Sequence, residues 1–244
     1  MDETDYFLRK TEKTVGRAIN RYSLVMENDR VVVALSGGKD SLVMLETLSQ
    51  RRKRLPVSYE ITAVHVHIKN VGYETDTGFL ESFCDSLNVP LHIIKTEADL
   101  DREKGRAVCF ICSWHRRKIL FDFMKKEKCN RLALGHHMDD AVETLLMNMI
   151  SNGSMSSMPP LLSMFGGEFD LIRPLILLTE DEIERYAKLK NFPPQVKSCP
   201  YASGTGRATV KKLVREMAVI DKNARRNIFN AMSNIHAEYL PSDE

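Results

Sequence analysis

At 244 residues, with 43% of them hydrophobic, the chain is long enough for one sizeable domain with a modest extension, and its core needs no disulfide framework. A net charge of +2 names no partner by itself, no run of about 18 apolar residues offers a membrane span, and Met1-Asp2-Glu3 does not open a basic-then-apolar signal; the expected compartment is the reducing cytoplasm, with no membrane partner. In that setting the five cysteines, Cys84, Cys109, Cys112, Cys129 and Cys199, point to metal binding, catalysis or packing rather than to bridges.

Residues 1–28 read as an amphipathic helix with Val15, Ala18, Ile19 and Tyr22 on one side and Lys10, Lys13, Arg17 and Arg21 on another. Strand-like apolar runs follow at Val31 to Leu35, Ile61 to Ile68, Leu91 to Lys95 and Arg131 to Gly135, with a weaker one at Phe169 to Pro174. Short buried strands with helical patterns between them predict parallel β-α-β units, hence an α/β fold with a doubly wound, mostly parallel sheet of Rossmann-like type. After the fourth run, Ala141, Val142, Leu145, Leu146 and Met149 share a helix face. Ser151 to Gly167, rich in Ser, Gly, Met and Pro, reads as a long loop. Thr179 and Glu182 make a capping box for a helix through Ile183, Tyr186 and Ala187, which Pro193-Pro194 ends. Beyond Cys199 the pattern is helical. The expected organisation is a basic helix over 1–28, a nucleotide-binding α/β domain over 29–190 and a helical extension over 191–244.

Charge is unevenly spread along this order. From Arg102 to Arg131 there are ten Lys and Arg against three acids, and from Thr205 to Arg226 seven against two. Each run alone is as consistent with a solvated helix face, but two such runs around the cysteines suit a polyanion, and nucleic acid first.

Ser36-Gly37-Gly38-Lys39-Asp40-Ser41 follows the first strand and opens a helix through Leu42, Leu45 and Leu48. Two glycines let the backbone approach an anion, the helix start offers free amides and a partial positive charge, and Ser36, Lys39 and Ser41 add donors. This is a polyphosphate cradle that lacks the spacing of both the usual P-loop and the dinucleotide glycine pattern. It resembles the PP-loop ATP pyrophosphatases, whose signature is Ser-Gly-Gly-x-Asp-Ser. The resemblance implies that ATP is cut between its α- and β-phosphates, with AMP passing to a substrate oxygen, and that magnesium (Mg2+) bridges phosphate oxygens near Asp40.

Gly135-His136-His137-Met138-Asp139-Asp140 stands where the fourth strand ends, on the same carboxyl edge of a parallel sheet as the phosphate loop. Asp139 and Asp140 suit a magnesium or catalytic role, or a helix cap. His65 and His67 share a face of the second strand, and His65 is the candidate neighbour of the nucleotide. Cys109-Phe110-Ile111-Cys112 leaves zinc, redox and cluster chemistry open. There is no second Cys-x-x-Cys; Cys199, before Pro200 in a turn-forming stretch, is the third candidate ligand, while Cys84 and Cys129 suit packing.

Taken together, Ser36 to Ser41, Cys109-x-x-Cys112, Gly135 to Asp140, Arg173-Pro174-Leu175 and Cys199 look like the tRNA 2-thiolation enzymes, and in particular the tRNA 2-thiocytidine synthetase family, over nearly the whole chain. The resemblance implies a [4Fe-4S] cluster held by Cys109, Cys112 and Cys199, ATP at Ser36 to Ser41, tRNA as substrate, hydrosulfide or a sulfur-carrying protein as donor, and a homodimer. Cys199-Pro200-Tyr201-Ala202 is closer to the related 2-thiouridine branch, whereas the Cys/His-rich zinc fingers of that branch are missing. 2-Thiouridine formation is therefore the alternative, followed by another adenylylating PP-loop synthetase and by a non-catalytic iron–sulfur protein that binds RNA.

Overall fold

The computed structural model of the chain describes residues 2–54, 57–71, 75–99, 108–194 and 206–241. It forms two compact units, Met1–His137 with Pro159–Ser203, and Met138–Met158 with Gly204–Glu244.

The first unit is a helix and a doubly wound sheet. Helix α1 (Glu3–Arg21) starts at Asp2, whose carboxylate accepts from the Asp5 amide at 2.7 Å, and buries Val15, Ala18 and Ile19 as the periodicity predicts. Strand β1 (Arg30–Ala34) leads into helix α2 (Lys39–Arg52), then β2 (Glu60–Ile68), α3 (Thr77–Ser86), β3 (Leu91–Thr96), α4 (Val108–Glu127) and β4 (Arg131–Ala133). Strands β5 (Leu161–Met164) and β6 (Phe169–Ile172) and helix α6 (Glu180–Leu189) complete it. The capping box of α6 forms as expected, with the Thr179 side chain on the Glu182 amide and the Glu182 side chain on the Thr179 amide.

The sheet order is β3-β2-β1-β4-β6-β5, parallel except for the β5–β6 pair. Val31, Val32 and Val33 of the central β1 are buried on both faces, as a near-continuous apolar strand requires. The residues Ser151 to Gly167 are not one loop. Leu161–Met164 forms an antiparallel edge, with Leu162 opposite Leu171, and the Arg173 guanidinium donates to the Pro159 carbonyl. Arg173 is therefore buried as a tie between this hairpin and its approach, and Leu175 beside it is fully buried.

The second unit contains helices α5 (Met138–Asn152), α7 (Gly206–Glu216) and α8 (Ala224–Ala231), with no strand among its described residues. Ala141, Val142 and Leu145 of α5 are buried, and Val210, Val214 and Phe229 supply the facing apolar groups of α7 and α8.

Candidate functional site

The strand order reverses at β1, which is flanked by β2 on one side and β4 on the other, and the phosphate loop leaves the carboxyl end of that strand. Such a switch point opens a crevice, because the connections leave it in opposite directions. Gly37 has φ +84°, a left-handed conformation that only glycine adopts without strain, and a Cβ there would come within 2.6 Å of Thr75 Cγ2. Gly38 is the N-cap of α2 and provides no side-chain cap, so the first-turn amides of that helix are left to a ligand. The loop is braced from within: Ser41 Oγ donates to the Gly38 carbonyl at 2.8 Å, the Gly38 amide donates to Ser36 Oγ at 3.3 Å, and the two hydroxyls are 3.2 Å apart.

Lys39 lies 3.1 Å from Asp40 Oδ1 and 3.6 Å from Glu180 Oε1 at the start of α6. Burial alone would lower the pKa of this ammonium, but the two carboxylates outweigh it and raise it, so Lys39 stays charged beside the cradle. Glu180 was not legible as a site residue in the sequence. Its one signal was its place in the acidic first turn of a capped helix, which equally serves the helix dipole. Gly135 packs directly on this turn: a Cβ there would sit 3.2 Å from the Asp40 carbonyl carbon and 3.3 Å from the Ser41 amide nitrogen. The glycine of the Gly135-His136-His137 run is thus what lets the end of β4 close on the start of α2.

His65 is buried on β2, with Nδ1 2.7 Å from the Leu35 carbonyl. That bond places the proton on Nδ1 and leaves Nε2 as a buried acceptor with no partner. Burial lowers the His65 pKa, the Leu35 carbonyl opposes that, and the Arg116 and His67 charges add to the lowering, so the ring is neutral at pH 7. A small cavity of about 60 Å³ adjoins it, lined by Leu35, Ser36, His65, Val66, Arg116 and Leu120 among others. Arg116 therefore turns towards the phosphate-loop strand, whereas its neighbours Arg117 and Lys118 are exposed. This role for Arg116 was missed because it stands in a basic run that read as one polyanion surface. Arg131, at the other end of that run, is also turned inward, 3.0 Å from Asp29 and paired with Asp170.

Cys109 and Cys112 both fall in the N-terminal part of α4, and Arg116 follows Cys112 by one further turn. Cys112 is buried in the same apolar cluster as Val64 and Val66 of β2. Cys199 lies outside the described residues, and no group of three metal-ligating side chains occurs among the described ones. Cys84 and Cys129 are buried at 1% and 4% exposure; burial, with Asp85 adding to it, pushes the Cys84 thiol up to about 11, and burial likewise raises Cys129. Both are enclosed in the apolar interior, which fits the packing role expected of them.

In the second unit, Asp139 and Asp140 open α5, and both are engaged by arginines. Asp139, at 4% exposure, accepts from Arg225 of α8 at 2.8 Å. Asp140 pairs with Arg207 of α7, whose Nε also lies 2.9 Å from Glu143 Oε2. Burial would lower the Arg207 pKa, but Asp140 and Glu143 together raise it. Glu143, Arg207 and Arg225 were not singled out in the sequence. Glu143 shares the helix face of the two aspartates, and the two arginines belonged to a run whose excess charge seemed to face outward.

A model of the PP-loop domain matches residues 8–194. The tRNA-cytidine(32) 2-sulfurtransferase of Geobacter sulfurreducens is 37% identical over 239 residues, covering 95% of this chain and 92% of its own length. The protein of the same name from Shewanella oneidensis is 38% identical over 231 residues, covering 93% of this chain and 74% of its own. Among solved structures, the U34-tRNA thiolase NcsA from Methanococcus maripaludis with its [4Fe-4S] cluster superposes with a TM-score of 0.78 at 26% identity, over 98% of this chain and 81% of that one. With an intact phosphate cradle at the switch point and this similarity along its length, the chain belongs to the PP-loop family and, within it, to the tRNA-cytidine(32) 2-sulfurtransferases.

Proposed function

We propose that the protein is an ATP-dependent tRNA sulfurtransferase that converts a cytidine to 2-thiocytidine. The base C2 oxygen attacks the α-phosphorus of ATP, the α–β phosphoanhydride bond breaks, and pyrophosphate leaves. Sulfur, delivered as hydrosulfide or its equivalent, then adds at C2, and the C2–O bond breaks as AMP departs with the oxygen.

The observation that carries this reading is the uncapped start of α2 beneath Gly37, with Lys39 charged beside it. Free amides and one ammonium suit the charge that gathers on departing pyrophosphate. Asp40 is the carboxylate at this loop that would hold magnesium, whose charge would offset that of the phosphates. Neutral His65 presents Nε2 as an acceptor and Arg116 presents a fixed positive charge at the neighbouring cavity. The donor chemistry of Cys109, Cys112 and Cys199 fits an iron–sulfur cluster. Cys109, Cys112 and Cys199 are the residues that would hold a [4Fe-4S] cluster, which would supply a binding site for the incoming sulfur.

The test is an anaerobic reaction of reconstituted protein with ATP, sulfide and tRNA lacking the modification, followed by nucleoside mass spectrometry. Expected products are 2-thiocytidine, AMP and pyrophosphate. ADP and phosphate would sink the reading. The likeness to the U34-tRNA thiolase favours 2-thiouridine as the second reading, and that nucleoside as sole product would establish it instead.

A further inference from the structure

We propose that the groove between α1 and the end of α2 docks the phosphate backbone of RNA; this rests on the reading of tRNA as substrate and names the surface that holds it away from the reacting base. The groove has a volume of about 650 Å³ and is lined by Tyr6, Arg9, Lys10, Lys13, Arg17 and Arg51, among others. Lys10, Lys13 and Arg17 fall at helical spacing on one face of α1, so their stripe runs about 10 Å along the helix, enough for neighbouring phosphates of one strand.

Three features separate this face from an ordinary solvated one. Two of the three acids of α1 serve other cations, Glu12 pairing with Arg54 and Glu3 with Arg185, and among the described residues no ion pair joins an acid to Arg9, Lys10, Lys13 or Arg17. The fifth cation is seated deliberately. Arg51 Nη2 donates to Asn20 Oδ1 at 2.6 Å, and its guanidinium lies so close over Gly16 that any Cβ there would collide with Nη1. A buried glycine inside a helix costs stability relative to alanine, and here it makes room for the arginine. Tyr6, 56% exposed at the end of the groove, adds an aromatic face of the kind on which bases stack.

An anionic membrane is the rival partner for a basic amphipathic helix. It needs an apolar face free to enter the lipid boundary, and in α1 that face, Val15, Ala18 and Ile19, is buried in the core. The position also suits a substrate much larger than one nucleotide. Lys39 and Arg51 belong to the same helix, α2, about 18 Å apart along its axis, so the groove lies well away from the phosphate loop.

The test uses the full chain, purified anaerobically, with unmodified tRNA binding measured across a salt series. Lys10→Glu with Lys13→Glu should weaken affinity tenfold or more at moderate salt and flatten the slope of log affinity against log salt by about 0.7 to 0.9 for each phosphate no longer neutralised. The KM for tRNA in pyrophosphate release should rise in parallel, with kcat at saturating tRNA and the affinity for ATP unchanged. Gly16→Ala should displace the Arg51 guanidinium and weaken tRNA binding about threefold although alanine favours the helix. If the double reversal does not fold, as judged by the absence of ATP binding, Lys13→Ala with Arg17→Ala decides by the salt slope alone. Unchanged tRNA affinity in variants that bind ATP overturns the proposal, as does an effect on phosphatidylserine vesicles with tRNA binding intact. Wild type that holds tRNA through this groove but forms no thiolated base upholds the surface and refutes the sulfurtransferase reading; wild type without affinity for tRNA refutes both.

Discussion

Arg225 of α8 donates to Asp139 of α5 across 2.8 Å, and the carboxylate it meets is almost wholly buried. Removing Arg225 takes one charge-assisted hydrogen bond from a buried carboxylate, which costs about 1.5–3 kcal/mol. Arg225→Met should therefore lower the urea midpoint of unfolding markedly. Asp139→Asn in the same chain should recover part of that loss, and the coupling in the double-mutant cycle measures the pair. Equal midpoints for wild type and Arg225→Met would show that the pair contributes nothing to stability.

The contact of Gly37 with Thr75 sets a second expectation. Gly37→Ala must hold a left-handed φ and push Thr75 aside, a strain of about 1–3 kcal/mol placed in the loop that cradles phosphate. ATP affinity measured by calorimetry should fall about tenfold to a hundredfold. Adding Thr75→Ser removes the methyl that the new Cβ meets and should restore part of the binding, while the backbone strain remains.

Lys39→Ala and Asp40→Ala should each reduce turnover by about tenfold to a thousandfold, the range for losing one group that stabilises developing charge. The raised pKa of Lys39 fixes the sign of its pH dependence. Its contribution is complete below the ordinary lysine value near 10.5 and is lost only as pH climbs above it. ATP binding should not show a Lys39 titration anywhere between pH 6 and 9; a step in this range that Lys39→Ala abolishes would contradict the assigned pairing.

The cysteines should divide into two sets. Serine at Cys109, Cys112 or Cys199 should abolish brown colour, iron and thiolation in reconstituted protein while ATP still binds, whereas serine at Cys84 or Cys129 should leave the iron in place. A thiol held at about 11 is almost fully protonated at pH 8, so Cys84 in the native protein should resist iodoacetamide there and react after unfolding. Because its pKa is raised, any stability it adds is present below the unfolded thiol value of about 8.5 and declines as pH rises towards 11. Rapid alkylation of native Cys84 at pH 8 would show that it is not buried in solution.

The phosphate loop could be read from residue type alone because its requirements are local: a strand, two glycines, a helix start and donors within six positions. The same holds for the first helix and for the Thr179–Glu182 box. What escaped is what depends on partners distant in the chain. Glu180 reaches Lys39, Arg207 reaches Asp140 and Arg225 reaches Asp139, and no periodicity signals any of these. Strand β5 was hidden because Leu161-Leu162-Ser163-Met164 is short, half-exposed and set among Pro, Gly and Met, so its pairing with β6 rather than its own alternation makes it a strand.

The strand order has a consequence for the making of the protein. Val31 of β1 pairs with Ile61 early in synthesis, but its other side waits for Arg131, and at the base of that seam the Arg30 amide donates to Asn130 at a separation of 100 residues. Strand β4 in turn has no neighbour on its far side until Asp170 and Leu171 emerge. A growing chain thus carries the apolar centre of its sheet as an unsatisfied edge while more than half of the molecule is translated, and such long-range parallel pairing is slow and prone to association. At high expression, the yield of soluble protein should be set by how well this nascent edge is shielded, more than by the stability of the finished fold.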